Sequence, residues 1–272
     1  SIHWHGIKNI NKMDGVPYLT QDPVQPGETF SYEFPVNQSG TYWYHAHFES
    51  WKQVAKGLYG PLVVNDKTDD LIEDDIVILA DDWRLNKNYQ IDEKSFGSLM
   101  DWSHAGRIGN WLTINGKKSP QYSIKENSIA RLRFINASNA RILKFGSSLK
   151  NNNIITIDGV AVKPMLVEDF TLAPGQRIDL LINTVDLLKV DFFEISHTKQ
   201  LKAFTLNVTK ADNKTKNITN IKFKSNLILP KLDNAKTINI RMQGGAMGNL
   251  SKANLDGVEK DFRTLATEDK KL

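Results

Sequence analysis

Two His-x-His pairs carry the most legible chemistry in this chain. One is Ser1-Ile2-His3-Trp4-His5-Gly6 and the other is Thr41-Tyr42-Trp43-Tyr44-His45-Ala46-His47. Together they hold four of the six histidines. Both sit among aromatic and β-branched residues, which favour strands. Side chains alternate faces along a strand, so each pair presents two imidazoles on one side. If the two strands face each other, four imidazoles converge with no thiol among them. Neutral imidazole suits copper, zinc, iron or nickel. A single pair of this kind can be no more than two half-exposed histidines. Two pairs, each flanked by Trp and Tyr in a chain with little other histidine, point to metal binding.

The elements that must position these residues read as strands. Glu28–Phe34 alternates in period two after the turn Pro26-Gly27, and Gly57–Val64 reads as a buried strand. Further strands are expected at Ile76–Ala80, Ser128–Phe134, Ile154–Ile157, Arg177–Ile182, Val190–Ile195 and Phe204–Val208. Turns at Asn115-Gly116, Asp158-Gly159 and Pro174-Gly175 separate them. Short strands with regular turns and no long helical period indicate antiparallel sandwiches or barrels. The acidic stretch from Asp66 to Asp75 marks the expected boundary between two β units. An internal echo supports a repeated design. Pro26-Gly27-Glu28-Thr29-Phe30 resembles Pro174-Gly175-Gln176-Arg177-Ile178, and the same offset sets Tyr42–His47 against Asp191–Ser196, where the imidazoles are gone.

Composition sets the outer limits. With 272 residues, 40% hydrophobic and 24% charged, the chain has a globular composition and room for one large domain or two ordinary ones. The 35 basic and 31 acidic residues are interspersed, so neither a nucleic-acid nor a membrane-binding patch is implied. No apolar run approaches the length of a membrane span. The absence of cysteine excludes disulfides, zinc–thiolate, iron–sulfur and blue-copper sites built from this chain alone. The metal motif begins at the third residue and no signal peptide precedes it. The chain therefore reads as an internal stretch of a longer protein.

Several motifs together resemble the multicopper oxidase family, of the laccase and bacterial copper-resistance type. In residues 1–66 these are His3-Trp4-His5-Gly6, Met13-Asp14-Gly15-Val16-Pro17, Tyr42–His47 and Gly57-Leu58-Tyr59-Gly60-Pro61-Leu62. Residues 75–210 are similar to the family's second domain through Leu112–Gly116, Arg133–Ser138 and Leu172–Arg177. Arg241–Gly248 resembles the opening of a third domain, which makes 211–272 a linker and the start of that domain. The resemblance implies an all-β fold of tandem cupredoxin-like Greek-key sandwiches, the first truncated at its N-terminus. It also implies roles. His3 would ligate the type 2 copper of a trinuclear cluster, and His5, His45 and His47 the type 3 pair. Asp14 would be an acid behind the ligands that orients them and helps move protons to O2. The reaction implied is one-electron oxidation of a phenolic, amine or metal-ion reductant coupled to reduction of O2 to water. The implied location is the periplasm or cell envelope.

The departures from the family pattern are as informative. The remaining cluster ligands and the type 1 copper, with its cysteine, belong to the family's third domain and are not in this sequence. The chain alone is therefore expected to be inactive, with the missing domain completing the site. Two other readings stay open: a copper-free structural or assembly protein of the same fold, and another cupredoxin-fold copper enzyme such as a two-domain laccase or nitrite reductase. The retained histidine pairs weigh against the first. The lack of paired histidines in the second domain, and the apparent start of a third, weigh against the other. His104 reads as a loop histidine and His197 as a surface one. Trp4 and Trp43 read as packing around the motif strands, and triplets such as Asn207-Val208-Thr209 carry little information.

Overall fold

The computed structural model describes residues 1–65, 72–149, 152–196, 199–211, 231–237, 240–243, 252–255 and 258–261. The acidic stretch through residue 71 and His197 lie outside the described residues. Among the described residues, no helix is long and apolar enough to cross a membrane.

The histidine pairs occupy one small sheet. Strands β1 (Ile2–His5), β2 (Gly40–Ala46) and β3 (Tyr59–Val64) pair antiparallel in the order β1-β2-β3. Between β2 and β3 the chain makes a single helical turn, α1 (Ser50–Gln53). Glu28–Phe34 is not a strand: among the described residues no backbone pairs with it in a sheet. Its alternation serves a side-chain face instead. Tyr32 and Phe34, two residues apart, both set their rings against Trp4 at 5.5 and 5.3 Å. The Tyr32 hydroxyl accepts from Ile2 N at 2.8 Å, satisfying an edge donor of β1 that a strand would otherwise take.

A two-sheet sandwich follows. Its strands are β4 (Asp74–Trp83), β5 (Trp111–Ile114), β6 (Gln121–Lys125), β7 (Ile129–Asn136), β8 (Leu143–Ser147), β9 (Asn152–Ile157), β10 (Val160–Val167), β11 (Asp169–Leu172), β12 (Arg177–Asn183), β13 (Lys189–Glu194) and β14 (Leu201–Thr209). One sheet runs β10-β9-β12-β7-β4-β5 and the other β11-β8-β13-β14-β6. The pairing is antiparallel except for β4 with β7 and β6 with β14, which are parallel. The expected strands are present within a few residues, and so are the turns. Asn115-Gly116 and Asp158-Gly159 both have positive φ at their two central residues, the backbone that tight hairpins require.

Between the two sheets lies an apolar core. Phe134 is fully buried and contacts the rings of Phe145, Phe170, Phe192 and Phe204. Ile78, Leu132, Leu180 and Leu206 complete its centre.

The histidine sheet and the sandwich form one compact unit. Buried polar groups join them. The Thr41 hydroxyl on β2 donates to Asp179 Oδ1 on β12 at 2.7 Å and accepts from Arg133 Nη1 on β7 at 3.0 Å. Asp179 is also paired with Arg131 at 2.6 Å, and Arg133 with Asp75 at 2.6 Å. Burial of such charges is tolerable only because each is paired and hydrogen-bonded. The only described apolar cluster that includes a residue of the histidine sheet as a core member is Trp43 with Ile135 and Ala137 of the sandwich.

A second compact unit holds the short helix α2 (Leu99–Ser103) and a three-stranded antiparallel sheet of β15 (Ile240–Gln243), β16 (Lys252–Leu255) and β17 (Val258–Asp261).

Candidate metal centre

Antiparallel pairing of β1 with β2 sets His3 directly opposite His45, and His5 opposite Trp43. The pairing is prolonged beyond β2 by His47 N, which donates to Ser1 O at 3.2 Å. Period-two alternation then brings all four imidazoles to one face. The His3 ring centroid lies 5.8 Å from that of His5 and 5.3 Å from those of His45 and His47. His5 and His45 are 5.6 Å apart, and His45 and His47 are 5.9 Å apart and stacked. Trp4 projects to the other face, among Tyr32, Phe34 and Tyr44. Trp43 lies on the histidine face, 4.5 Å from the His45 ring and 5.1 Å from that of His5.

The donor atoms suit a metal. One ring nitrogen each from His3, His5 and His45 lies within 4.8 Å of the others. His47 joins the ring cluster but stands outside this tightest group. His5 Nδ1 and His45 Nε2 are 3.4 Å apart. Two nitrogens each about 2 Å from a shared ion can be no more than about 4 Å apart, so this spacing fits. Hydrogen bonds fix which nitrogens are free. His45 Nδ1 contacts the Ala46 carbonyl at 3.0 Å and His3 Nδ1 contacts the Asp14 carbonyl at 2.9 Å. A carbonyl only accepts, so both Nδ1 atoms carry the proton and both Nε2 atoms keep a lone pair for a metal.

Electrostatics also favours neutral rings. Burial, then the Arg177 charge and the other three imidazoles, push His5 down to about 3. Burial lowers His45, opposed by its bond to Ala46 and reinforced by His3 and His47. Burial and His3 lower His47, against the backbone contact and Asp14, which raise it. Neutral imidazole is the form that binds metal, with no proton to displace from the ligating nitrogen. A donor set of imidazoles without thiolate fits copper, and the divalent first-row order favours copper(II) at such a site.

Asp14 approaches His3 in two ways: by its backbone carbonyl, and by its carboxylate at 3.5 Å. Its position is set by Gly15, whose φ is +77° and which lies so close on the Ile2 carbonyl that no Cβ could fit. The Asp-Gly pair is thus both a turn and a support for a ligand ring. His104 follows α2 in the second unit, with Nδ1 against Ser103 Oγ and the Met100 carbonyl at 3.0 Å.

Two residues of the sandwich reach the site without having been singled out for it. A side chain on Gly175 would run into the His5 ring, and the buried Arg177 sits against Gly6, next to His5, and acts on it electrostatically. Both belong to the Pro-Gly echo, which carried the signal of a repeated turn but not of a contact across the fold.

Comparison with known proteins adds the relatives. A family model described as Multicopper oxidase matches residues 1–69, and a second with the same description matches residues 74–226. Laccase-1 of Cryptococcus neoformans var. grubii is 30% identical over 219 residues, covering 71% of this chain and 35% of that protein. A copper resistance protein A homolog of Pseudomonas syringae pv. tomato is 29% identical over 231 residues, covering 68% of this chain and 39% of that protein. Among solved structures, a multi-copper oxidase from Pseudomonas thermotolerans superposes with a TM-score of 0.81 at 26% identity, covering 89% of this chain and 58% of that one. The chain thus spans little more than a third of these two curated relatives and somewhat over half of the solved protein.

Proposed function

Because the chain belongs to the multicopper oxidase family and has its cupredoxin-like all-β fold, we propose that it is the part of a laccase-like oxidase that supplies half of a trinuclear copper site. In this reading residues 1–66 are the incomplete first cupredoxin domain. Residues 75–210 are the second, and 211–272 are a linker and the start of a third, which brings the remaining ligands and the type 1 copper. His3 ligates the type 2 copper, and His5, His45 and His47 the type 3 pair. The single observation that carries the reading is the convergence of four imidazoles on one face of two paired strands.

Copper, when bound, supplies the one-electron redox steps that link a phenolic, amine or metal-ion reductant to reduction of O2 to water. The chain's own residues do the rest. The Asp14 and Ala46 carbonyls hold His3 and His45 in the tautomer that offers Nε2. Burial keeps His5, His45 and His47 uncharged. Trp43 packs on the His5 ring and the Gly175 turn closes on its edge, which shields part of the ring from solvent. The Asp14 carboxylate, beside His3 Nδ1, holds and passes on protons that reduction of O2 consumes. A location in the periplasm or cell envelope accompanies this reading, supported by the likeness to a copper resistance protein.

The test is oxygen uptake with a phenolic donor after copper loading. The 272-residue chain should show no turnover. A longer form that includes the third domain should turn over and lose activity in the His45→Ala, His47→Ala double variant. Sustained uptake by the chain alone, abolished by the double variant, would overturn the assignment of a half-site.

A further inference from the structure

The sandwich carries no metal ligand in this reading, yet it touches one. The turn Pro174-Gly175 is anchored on the end of β7. Gly175 N donates to the Asn136 carbonyl at 2.8 Å, Asn136 N donates to the Gln176 carbonyl at 3.1 Å, and Gln176 Oε1 accepts from Ala173 N at 2.8 Å. Gly175 has a φ of +80°, and a Cβ there would stand 3.1 Å from His5 Cε1, 3.4 Å from His5 Nε2 and 3.7 Å from the Trp43 ring. The turn therefore leaves no room for a side chain between itself and the edge of the His5 imidazole.

Arg177 ties this turn to the histidine sheet. Its Nη1 donates to the Gly175 carbonyl at 3.1 Å, its Nη2 to the Asp158 carbonyl at 3.0 Å and its Nε to the Thr41 carbonyl of β2 at 3.3 Å. Asp158 Oδ1 balances the charge at 3.0 Å from Nη1. The guanidinium also fills the space where Gly6, next to His5, would carry a side chain. One planar fork thus fixes the turn, β2 and the end of β1 relative to one another, a task that a lysine point charge would not perform.

We propose that Gly175 and Arg177 are positioning residues for His5: the turn sets the rotation of the imidazole, and Arg177 sets the turn. The inference rests on His5 being a metal ligand, but the ring position it concerns exists without metal. It gives the ligand-free sandwich a role as the mould for one ligand of the neighbouring sheet. Residues that orient a ligand ring in this way commonly change metal affinity by about 10-fold to 100-fold when altered.

The echoed turn provides the control. Gly27 also follows a proline and has a φ of +87°, but nothing lies within 4 Å of the Cβ it lacks. Gly27→Ala imposes the same backbone strain as Gly175→Ala without the contact with His5. The experiment records the imidazole proton and nitrogen resonances of the metal-free chain, and copper(II) affinity by competition, for Gly175→Ala, Arg177→Gln and Gly27→Ala. The expected result is a change in the His5 ring resonances in the first two variants, larger than that at any other histidine, with copper(II) bound about tenfold more weakly or worse. Gly27→Ala should leave both readouts at wild type. If Arg177→Gln fails to fold, Gly175→Ala against Gly27→Ala decides the matter. His5 resonances that are unchanged in Gly175→Ala, or that move alike in both glycine variants, overturn the proposal. Failure of the wild-type chain to bind copper(II) would instead count against the ligand assignment, while the resonances still report on the ring.

Discussion

The histidine sheet and the sandwich beside it divide the labour unequally. The sandwich closes two sheets on a core of phenylalanine, leucine and isoleucine and carries none of the four converging histidines. The histidine sheet has three strands, no second layer among the described residues, and an apolar cluster shared with its neighbour. Among the described residues, its buried apolar cluster is completed by Ile135 and Ala137 of the sandwich, so the sheet closes no core of its own. The difference teaches that the chemistry-bearing region is held in shape from outside, by the Thr41–Asp179–Arg133 joint and by the turn at Gly175.

The largest expected effect lies in the sandwich. Phe134→Ala empties the centre of four ring contacts and should cost about 3–5 kcal/mol. If the histidine sheet depends on the sandwich, urea unfolding followed at both regions should shift together. A sheet that kept its own midpoint would break the comparison. A smaller effect is expected at the joint. Thr41→Val removes a hydroxyl that both donates to Asp179 and accepts from Arg133, and should cost about 1–3 kcal/mol because it leaves buried charged groups short of a partner. Amide exchange should accelerate at Tyr42, Trp43 and Tyr44 more than at Phe134 or Leu180. Equal acceleration would show that the joint serves the sandwich as much as the sheet.

The smallest effect is a slope. His5 sits near 3 in the fold against 6.5 when exposed, lowered by burial and then by Arg177. A base with a depressed value binds more protons when unfolded, so this contribution is fully present above 6.5 and is lost as pH falls toward 3. Unfolding midpoints between pH 7 and 5 should therefore decline more steeply for the wild type than for His5→Gln. Parallel curves would show that the histidine face is more open to water than its burial implies.

Much of this was legible in the sequence. Two His-x-His pairs in β-branched and aromatic surroundings set the strands and the shared face, because period-two alternation is a local property. The hairpin turns were legible for the same reason. Alternation in Glu28–Phe34 specifies a face but not a partner; that face packs on Trp4, while its backbone pairs with no strand among the described residues. The parallel pairing of β4 with β7 and of β6 with β14 was not legible either, since pairing between distant strands leaves no local pattern. At the site, the sequence points to Asp14 through its carboxylate, yet its closest contact with His3 is through its carbonyl, which any residue possesses. In the sequence Gly175 and Arg177 read as an echoed turn, and only folding brings that turn to His5.

The central claim is that four histidines form one copper half-site, and it is tested most directly by the coordination of copper(II) added to the metal-free chain. Electron paramagnetic resonance of the loaded wild type should show several imidazole nitrogens on the copper. That signature should be lost in the His3→Ala, His5→Ala double variant and in the His45→Ala, His47→Ala double variant alike, because each removes one strand's half of the donors. A nitrogen signature that survives in either double variant would contradict a shared site.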